Sequence, residues 1–385
     1  MRLFTLPAVA CLVATGATAA DFDLPGTVSW TAYSTGSSGY NQAVAIGAAL
    51  QGAADVNLRI LPGKNDLARL EPVRQGKVQF SANGVGTYMA QEGVLSFGAK
   101  NWGPQKVRLL ATNVGSGSAL VLAVTKKGCE AAGKPNCEGF TYADVKGLKV
   151  AFIKGAPALN VNAEAWMAYG GLTWDDVERV EFGGYGASWK GMIDGSVDAA
   201  FGITTSGNAY EAASGPNGLF IPSLNSSDPA AFERLKKVAP YFVPVTATVG
   251  ATLDDTDGIS SASYPYPILM AYDTQDADLA YNMTKAMFTL LPEYKDDAPG
   301  ATGWALSNQV MDWVVPYHAG AVRYYKEAGT WSDAAQAHND MLIKRQDLLV
   351  ATWEALKAEN PSDWEAAWAA KRREALTAAG MPAPF

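Results

Sequence analysis

Histidine is nearly absent from this sequence. His318 and His338 are the two copies in 385 residues, and both lie in the C-terminal third. A serine–histidine–acid triad therefore has little material to draw on. Cysteine is as sparse, with three copies at Cys11, Cys129 and Cys137. No cluster of His and Cys has metal-ligand spacing, so no metal is expected. Excess positive charge is missing as well: 30 Lys and Arg face 38 Asp and Glu, for a net charge of −8. A nucleic-acid binder usually carries a basic face, so nucleic acid is not an expected partner. The nucleotide signatures G-x-x-x-x-G-K-[ST] and G-x-G-x-x-G do not occur, and no cofactor is expected. Charged residues make up only 18% against 48% hydrophobic, a composition that folds.

Long apolar runs are limited to the N-terminus. Leu3–Ala14 is apolar over about 12 residues, short of the ~20 that span a bilayer. Ala17-Thr18-Ala19 follows as a small-x-small cleavage site. Residues 1–19 therefore read as a secretory signal peptide that is removed, placing the mature protein outside the cytoplasm, in the periplasm. Arg2 makes a weak positive region, and Cys11 leaves with the leader. "GCEAAGKPNCEG" then holds the two remaining cysteines around a Gly-Lys-Pro turn. In an oxidising compartment this predicts a Cys129–Cys137 disulfide closing a small hairpin loop, with a metal or free thiols as the alternatives.

What is present is alternation of strands and helices. "VSWTAYS", "VNLRIL", "VQFSANG" and "VRLLATNV" have strand character. Helical patterns lie between them, including "NDLARLEPVRQG", with Asn65 as N-cap, Gly76 at the end and Pro72 as a break. The same alternation restarts near Ser118 and continues to about Val245. The pattern predicts an α/β protein of two lobes. Residues 20–117 plus 246–385 form lobe 1 with a helical C-terminal extension, and 118–245 form lobe 2. In the extension, Trp353, Leu356, Trp364 and Trp368 are spaced to pack on lobe 1. "NPSDWEAAW" predicts a capping box from Ser362 to Glu365.

Four loops share one form, a strand followed by small, hydroxyl or amide residues and a helix start. They are Thr35–Tyr40, Asn83–Tyr88, Lys154–Asn160 and Thr204–Asn208. Each offers free backbone N–H groups and the positive end of a helix dipole, which suits an anion. Loops of this kind gather at the carboxyl ends of strands, and two facing domains make a cleft. Catalysis finds less support: "STGSSG" is not G-x-S-x-G, and the Asp175-Asp176 and Asp254-Asp255 pairs sit in turn-like segments suited to capping. Arg59 and Arg108 lie in predicted strands, and no arginine is assigned to a ligand.

"YSTGSSGYNQAVAIGAAL", "LEPVRQGKVQFSANGVGTYMAQEG", "DVKGLKVAFIKGAP" and "GMIDGSVDAAFG" together resemble, in order and spacing, the TAXI family of TRAP-associated solute-binding proteins. The likeness runs from about Val28 to about Leu290. It implies a type II periplasmic binding protein in which each lobe is a mixed sheet flanked by helices, with the ligand cleft between them. It also implies a non-enzymatic, monomeric receptor that captures a small organic anion, a carboxylate or amino acid. TRAP membrane permease subunits would be its partner. Presentation of the ligand to a periplasmic sensor kinase is the alternative, and an enzyme on the same scaffold a further one. The ligand-binding residues expected are Thr35, Ser37, Ser38 and Tyr40 from loop one, with Asn83, Gly84 and Val85 from loop two. The second lobe would add Ala158, Asn160, Gly202 and Thr204, with Tyr185 and Trp189 as walls. Pro157 departs from the family pattern and removes one backbone donor.

Overall fold

A computed structural model describes residues 21–225, 228–253 and 257–385; the leader expected over 1–19, Cys11 and the Asp254-Asp255 pair lie outside them. The chain builds two mixed sheets flanked by helices, the α/β architecture expected. The first sheet holds β1 (Thr27–Ala32), β2 (Asn57–Pro62), β3 (Phe80–Asn83), β4 (Val107–Thr112) and β11 (Ile268–Tyr272). Its order is β2-β1-β3-β11-β4, with β11 antiparallel to both neighbours. Every residue of β3, β4 and β11 is buried, as in strands covered by helices on both faces.

The second sheet holds β5 (Leu120–Val124), β6 (Lys149–Ile153), β7 (Glu178–Phe182), β8 (Ala199–Ile203), β9 (Val243–Ala247) and β10 (Ile259–Ser263). Its order is β7-β6-β8-β5-β10-β9. The return to the first lobe falls later than the expected position near Val245. β10 pairs with β9 and β5, so residues 259–263 belong to the second sheet. "SASYPYPILMAYD" holds the end of β10 and all of β11; Pro265 and Pro267 lie between them, and neither can donate to a ladder.

The chain passes between sheets at 113–119 and at 264–267. The two passages are hydrogen-bonded, Tyr266 N donating to Asn113 O (2.8 Å) and Asn113 N to Pro267 O (3.1 Å). In each sheet the crossing strands lie together: β4 and β11 in the first, β5 and β10 in the second. The strands beside them, β1 to β3 and β6 to β8, each run into a helix, so the helix-starting loops collect on one side of this hinge.

Local signals behave as their chemistry requires. Ser37 caps helix Ser38–Ala54, and Asn65 caps helix Asp66–Arg74, accepting from Ala68 N at 2.9 Å. Pro72 sits inside that helix, which ends two residues later. Asp176 closes a capping box with Thr173, the turn role expected of Asp175-Asp176. Cys129 and Cys137 are disulfide-bonded. The enclosed loop is helical rather than a hairpin: helix Lys126–Ala131 is followed by a 3-10 turn at Pro135–Cys137.

The C-terminal extension is two helices, Asp333–Glu359 and Trp364–Ala378, packed through Leu349, Trp353, Leu356, Trp368 and Leu376. Trp364 Nε1 donates to Gly98 O (3.0 Å) and Trp368 Nε1 to Gly93 O (2.6 Å), so the tryptophans do dock on the first lobe. The last helix is capped by Asp363, not by Ser362: the Asp363 carboxylate accepts from Ala366 N at 3.1 Å. Beneath this interface Glu92 is fully buried and takes two bonds of 2.7 Å from Arg345 and one from Arg372.

Candidate functional site

Six strand-to-helix loops meet where the lobes face each other. All four loops expected from the sequence have this form, following β1, β3, β6 and β8. Two more follow β2 and β7. The lobes touch directly through them. Ser38 Oγ lies 3.3 Å from Thr205 Oγ1. The β2 loop reaches furthest: Asn65 Nδ2 donates to Lys154 O (3.1 Å), and Lys64 O accepts from Tyr185 N (3.2 Å). Asp66 Oδ2 accepts from Ala158 N at 2.9 Å. Ala158 is in the first turn of helix Pro157–Tyr169, where free N–H groups favour an anion. The carboxylate held there belongs to the protein itself.

Around this contact is a small cavity of about 20 Å³, room for about one water. Asp66, Tyr33, Tyr185, Tyr264, Tyr266 and Phe201 dominate its wall, with Leu120, Ala158, Leu159, Gly202 and Ile203 completing it. The tyrosines meet at their edges: the Tyr33 and Tyr266 centroids are 5.3 Å apart at 63°, and Tyr264 and Tyr266 are 6.3 Å apart at 89°. Burial pushes all four hydroxyls up from their ordinary pKa, so they are neutral donors and acceptors. Burial also pushes the Asp66 carboxyl up, against the opposing pull of Arg69 and the Ala158 N–H. Arg69 is 1% exposed, pairs with Asp66 Oδ1 and stacks 3.8 Å from the Tyr33 centroid.

Two glycines are required by this packing. A methyl group on Gly84 would lie 2.7 Å from Tyr33 Oη and 3.0 Å from the Tyr266 ring. One on Gly202 would lie 2.4 Å from the Trp189 ring and 2.9 Å from Tyr185 Oη.

Of the residues expected at the site, Ala158, Tyr185 and Gly202 line the cavity. Gly84 and Val85 are buried, and Gly84 backs its tyrosines. Ser38 joins the lobes. Ser37 is a helix cap, and Thr35 is exposed. Tyr40 is half-buried on the first helix. Asn83 Oδ1 accepts from its own neighbour, Gly84 N (2.9 Å). Asn160 folds back on the end of β6, bonding both Ile153 N (2.9 Å) and Ile153 O (3.0 Å). Trp189 lies in the lobe 2 core with Nε1 donating to Phe201 O (3.3 Å), and Thr204 Oγ1 donates to Val249 O (2.7 Å).

Sequence reasoning passed over Tyr33, Asp66, Arg69, Tyr264 and Tyr266. Asp66 looked like an ordinary first-turn acid beside its cap Asn65. The available signal was "SYPYP", a tyrosine- and proline-rich stretch at the point where the chain returns between lobes. Both histidines are engaged by backbone groups. His318 Nδ1 accepts from Gly320 N (3.1 Å), and His338 Nε2 lies 2.8 Å from Trp313 O. Among the described residues no group of three His, Cys, Asp or Glu side chains could hold a metal, and no helix is long and apolar enough to cross a membrane.

Comparison with solved structures finds distant likenesses. One is the alkanesulfonate-binding protein of Xanthomonas axonopodis pv. citri bound to MOPS, at 14% identity and TM-score 0.43, over 87% of this chain and 94% of that one. Another is the periplasmic aliphatic sulphonate binding protein of Escherichia coli, at 13% and 0.38, over 84% and 88%. A third is an amino acid ABC transporter substrate-binding protein of Streptococcus pneumoniae bound to L-arginine, at 13% and 0.39, over 72% and 96%. The sequence itself matches the NMT1-like family model over residues 121–329, from β5 through the hinge to the helix Ala319–Glu327. That match covers more than half of its length, and the chain belongs to the NMT1-like family.

Proposed function

We propose that this protein is an extracytoplasmic solute receptor that captures one small organic molecule between its lobes and releases it to a TRAP-type membrane permease. The observation that carries the reading is the convergence of four helix-starting segments, two from each sheet, on one small cavity between the lobes: Tyr33 and Asp66 from the first, Ala158 and Tyr185 from the second. Such an arrangement binds by closure and needs no chemical step. Nothing in the wall pairs a nucleophile with a base, which favours capture over turnover. The TRAP partnership is supported by the four motifs that resemble TAXI receptors. On this reading the mature protein works as a monomer in the periplasm after its leader is removed. Among the expected ligands, an amino acid suits the cavity better than a simple carboxylate, because Asp66 Oδ2 offers an acceptor for a donor group.

A thermal-shift screen of organic acids, amines and amino acids on the full mature chain tests this. One chemical group of solutes raises the melting temperature, since binding to the native state alone stabilises it. No stabilising solute for protein first stripped of bound ligand would contradict the reading.

A further inference from the structure

Asp66 sets what the cleft accepts. Its Oδ1 faces Arg69, and its Oδ2 is held across the lobes by Ala158 N–H. Arg69 and Asp66 travel together on helix Asp66–Arg74, whereas Ala158 belongs to the other lobe. Parting the lobes therefore leaves the first pairing intact and breaks the second. It frees one acceptor, Oδ2, on lobe 1 and one donor, Ala158 N–H, on lobe 2. A solute that bridges them must present a donor to lobe 1.

The wall around Oδ2 specifies the donor's charge. Among the described residues Asp66 is the one Asp, Glu, Lys, Arg or His that lines the cavity, and Arg69 stands behind it. Tyr33, Tyr185, Tyr264 and Tyr266 line the same space. Arg69 offsets part of the Asp66 charge from the Oδ1 side, and Oδ2, the oxygen it leaves free, is an acceptor that suits a cationic donor among tyrosine rings. The protein already uses this chemistry once: the Arg69 guanidinium pairs with Asp66 and lies over the Tyr33 ring. From this geometry we infer that the captured solute carries a protonated amine, which sits against Asp66 Oδ2 among the tyrosines and replaces the Ala158 contact of the closed form. The inference rests on the receptor reading and narrows its ligand to molecules with an ammonium group. An opposite end that accepts from Ala158 N–H is compatible with it.

The test is calorimetric titration of the full mature chain, stripped of bound solute, with n-butylammonium and with n-butyrate, probes of the same length and opposite charge. The wild type binds butylammonium about tenfold or more tightly than butyrate. Asp66→Asn, of similar shape and without the charge, removes that preference. Tyr185→Leu keeps the preference and weakens butylammonium by about threefold. It tests the cage even where Asp66→Asn fails to fold. Butyrate bound more tightly than butylammonium by the wild type, or a preference unchanged in folded Asp66→Asn, overturns the charge assignment and leaves the receptor reading standing. If neither probe binds and the solute screen is also blank, both are overturned.

Discussion

Glu92 and Asp66 are both buried carboxylates beside arginines, at 0% and 1% exposure, yet their surroundings differ. Glu92 is bonded by Arg345 and Arg372, which come from the two C-terminal helices, and tryptophans and leucines seal the contact. Asp66 has one arginine from its own helix, one backbone N–H from the opposite lobe, and a small cavity beside it. The Glu92 contact is made by side chains, and it fastens the extension to lobe 1. The Asp66 contact crosses between lobes through one hydrogen bond, the one that the proposed solute replaces. A buried ion pair is held by what surrounds it as much as by its own attraction.

Breaking each cluster separates these roles. Glu92→Ala strands two buried guanidinium groups that reach water only if the C-terminal helices lift off, and lowers unfolding stability by about 3–5 kcal/mol. Urea unfolding measures it, and a loss as small as that of Asp66→Asn would erase the distinction. Removing the disulfide with Cys129→Ser and Cys137→Ser lowers stability by about 2–3 kcal/mol for so short a loop, read from the same titration, with solute affinity unchanged. Asp66→Asn loses only about 1–2 kcal/mol, because Arg69 keeps its contacts with Gly63 O and the Tyr33 ring and the amide oxygen still accepts a hydrogen bond. Its signature is the lost preference for butylammonium over butyrate, which Glu92→Ala leaves unchanged. Trp368→Phe removes the bond to Gly93 O from the extension and lowers stability by about 1 kcal/mol. Thr35→Ala, on an exposed side chain, changes stability by less than about 0.5 kcal/mol and leaves solute affinity alone. Ser38→Ala, which loses the hydroxyl contact between lobes, weakens capture.

The two-sheet α/β architecture was legible because β1, β2, β3 and the helices after them carry plain period-2 and capped helical patterns. The four ligand-type loops were legible for the same reason, since small and hydroxyl residues before a helix mark a strand-to-helix turn. The packing of Trp353, Trp364 and Trp368 followed from their spacing. What escaped were features made by tertiary geometry. Asp66 and Ala158 are 92 residues apart, and neither looks unusual beside its own neighbours. Tyr33 and Tyr266 meet only because Gly84 lets them approach. The lobe boundary near Val245 slipped because β10 hides in the same apolar-polar stretch as β11, and only its pairing with β5 and β9 assigns it to the second sheet. Asn160, Thr204 and Trp189 illustrate the converse: polar or aromatic residues placed on the right loops whose side chains are engaged by backbone carbonyls or amides.

The central claim is that the cleft captures one small solute carrying an amine. Native mass spectrometry of the freshly purified, full mature protein tests it most directly. The account predicts an ion heavier than the bare chain by a single small molecule that is released on denaturation and is identified as an amine. A released solute with no amine contradicts the charge assignment, and a bare-chain mass together with a blank solute screen contradicts capture itself.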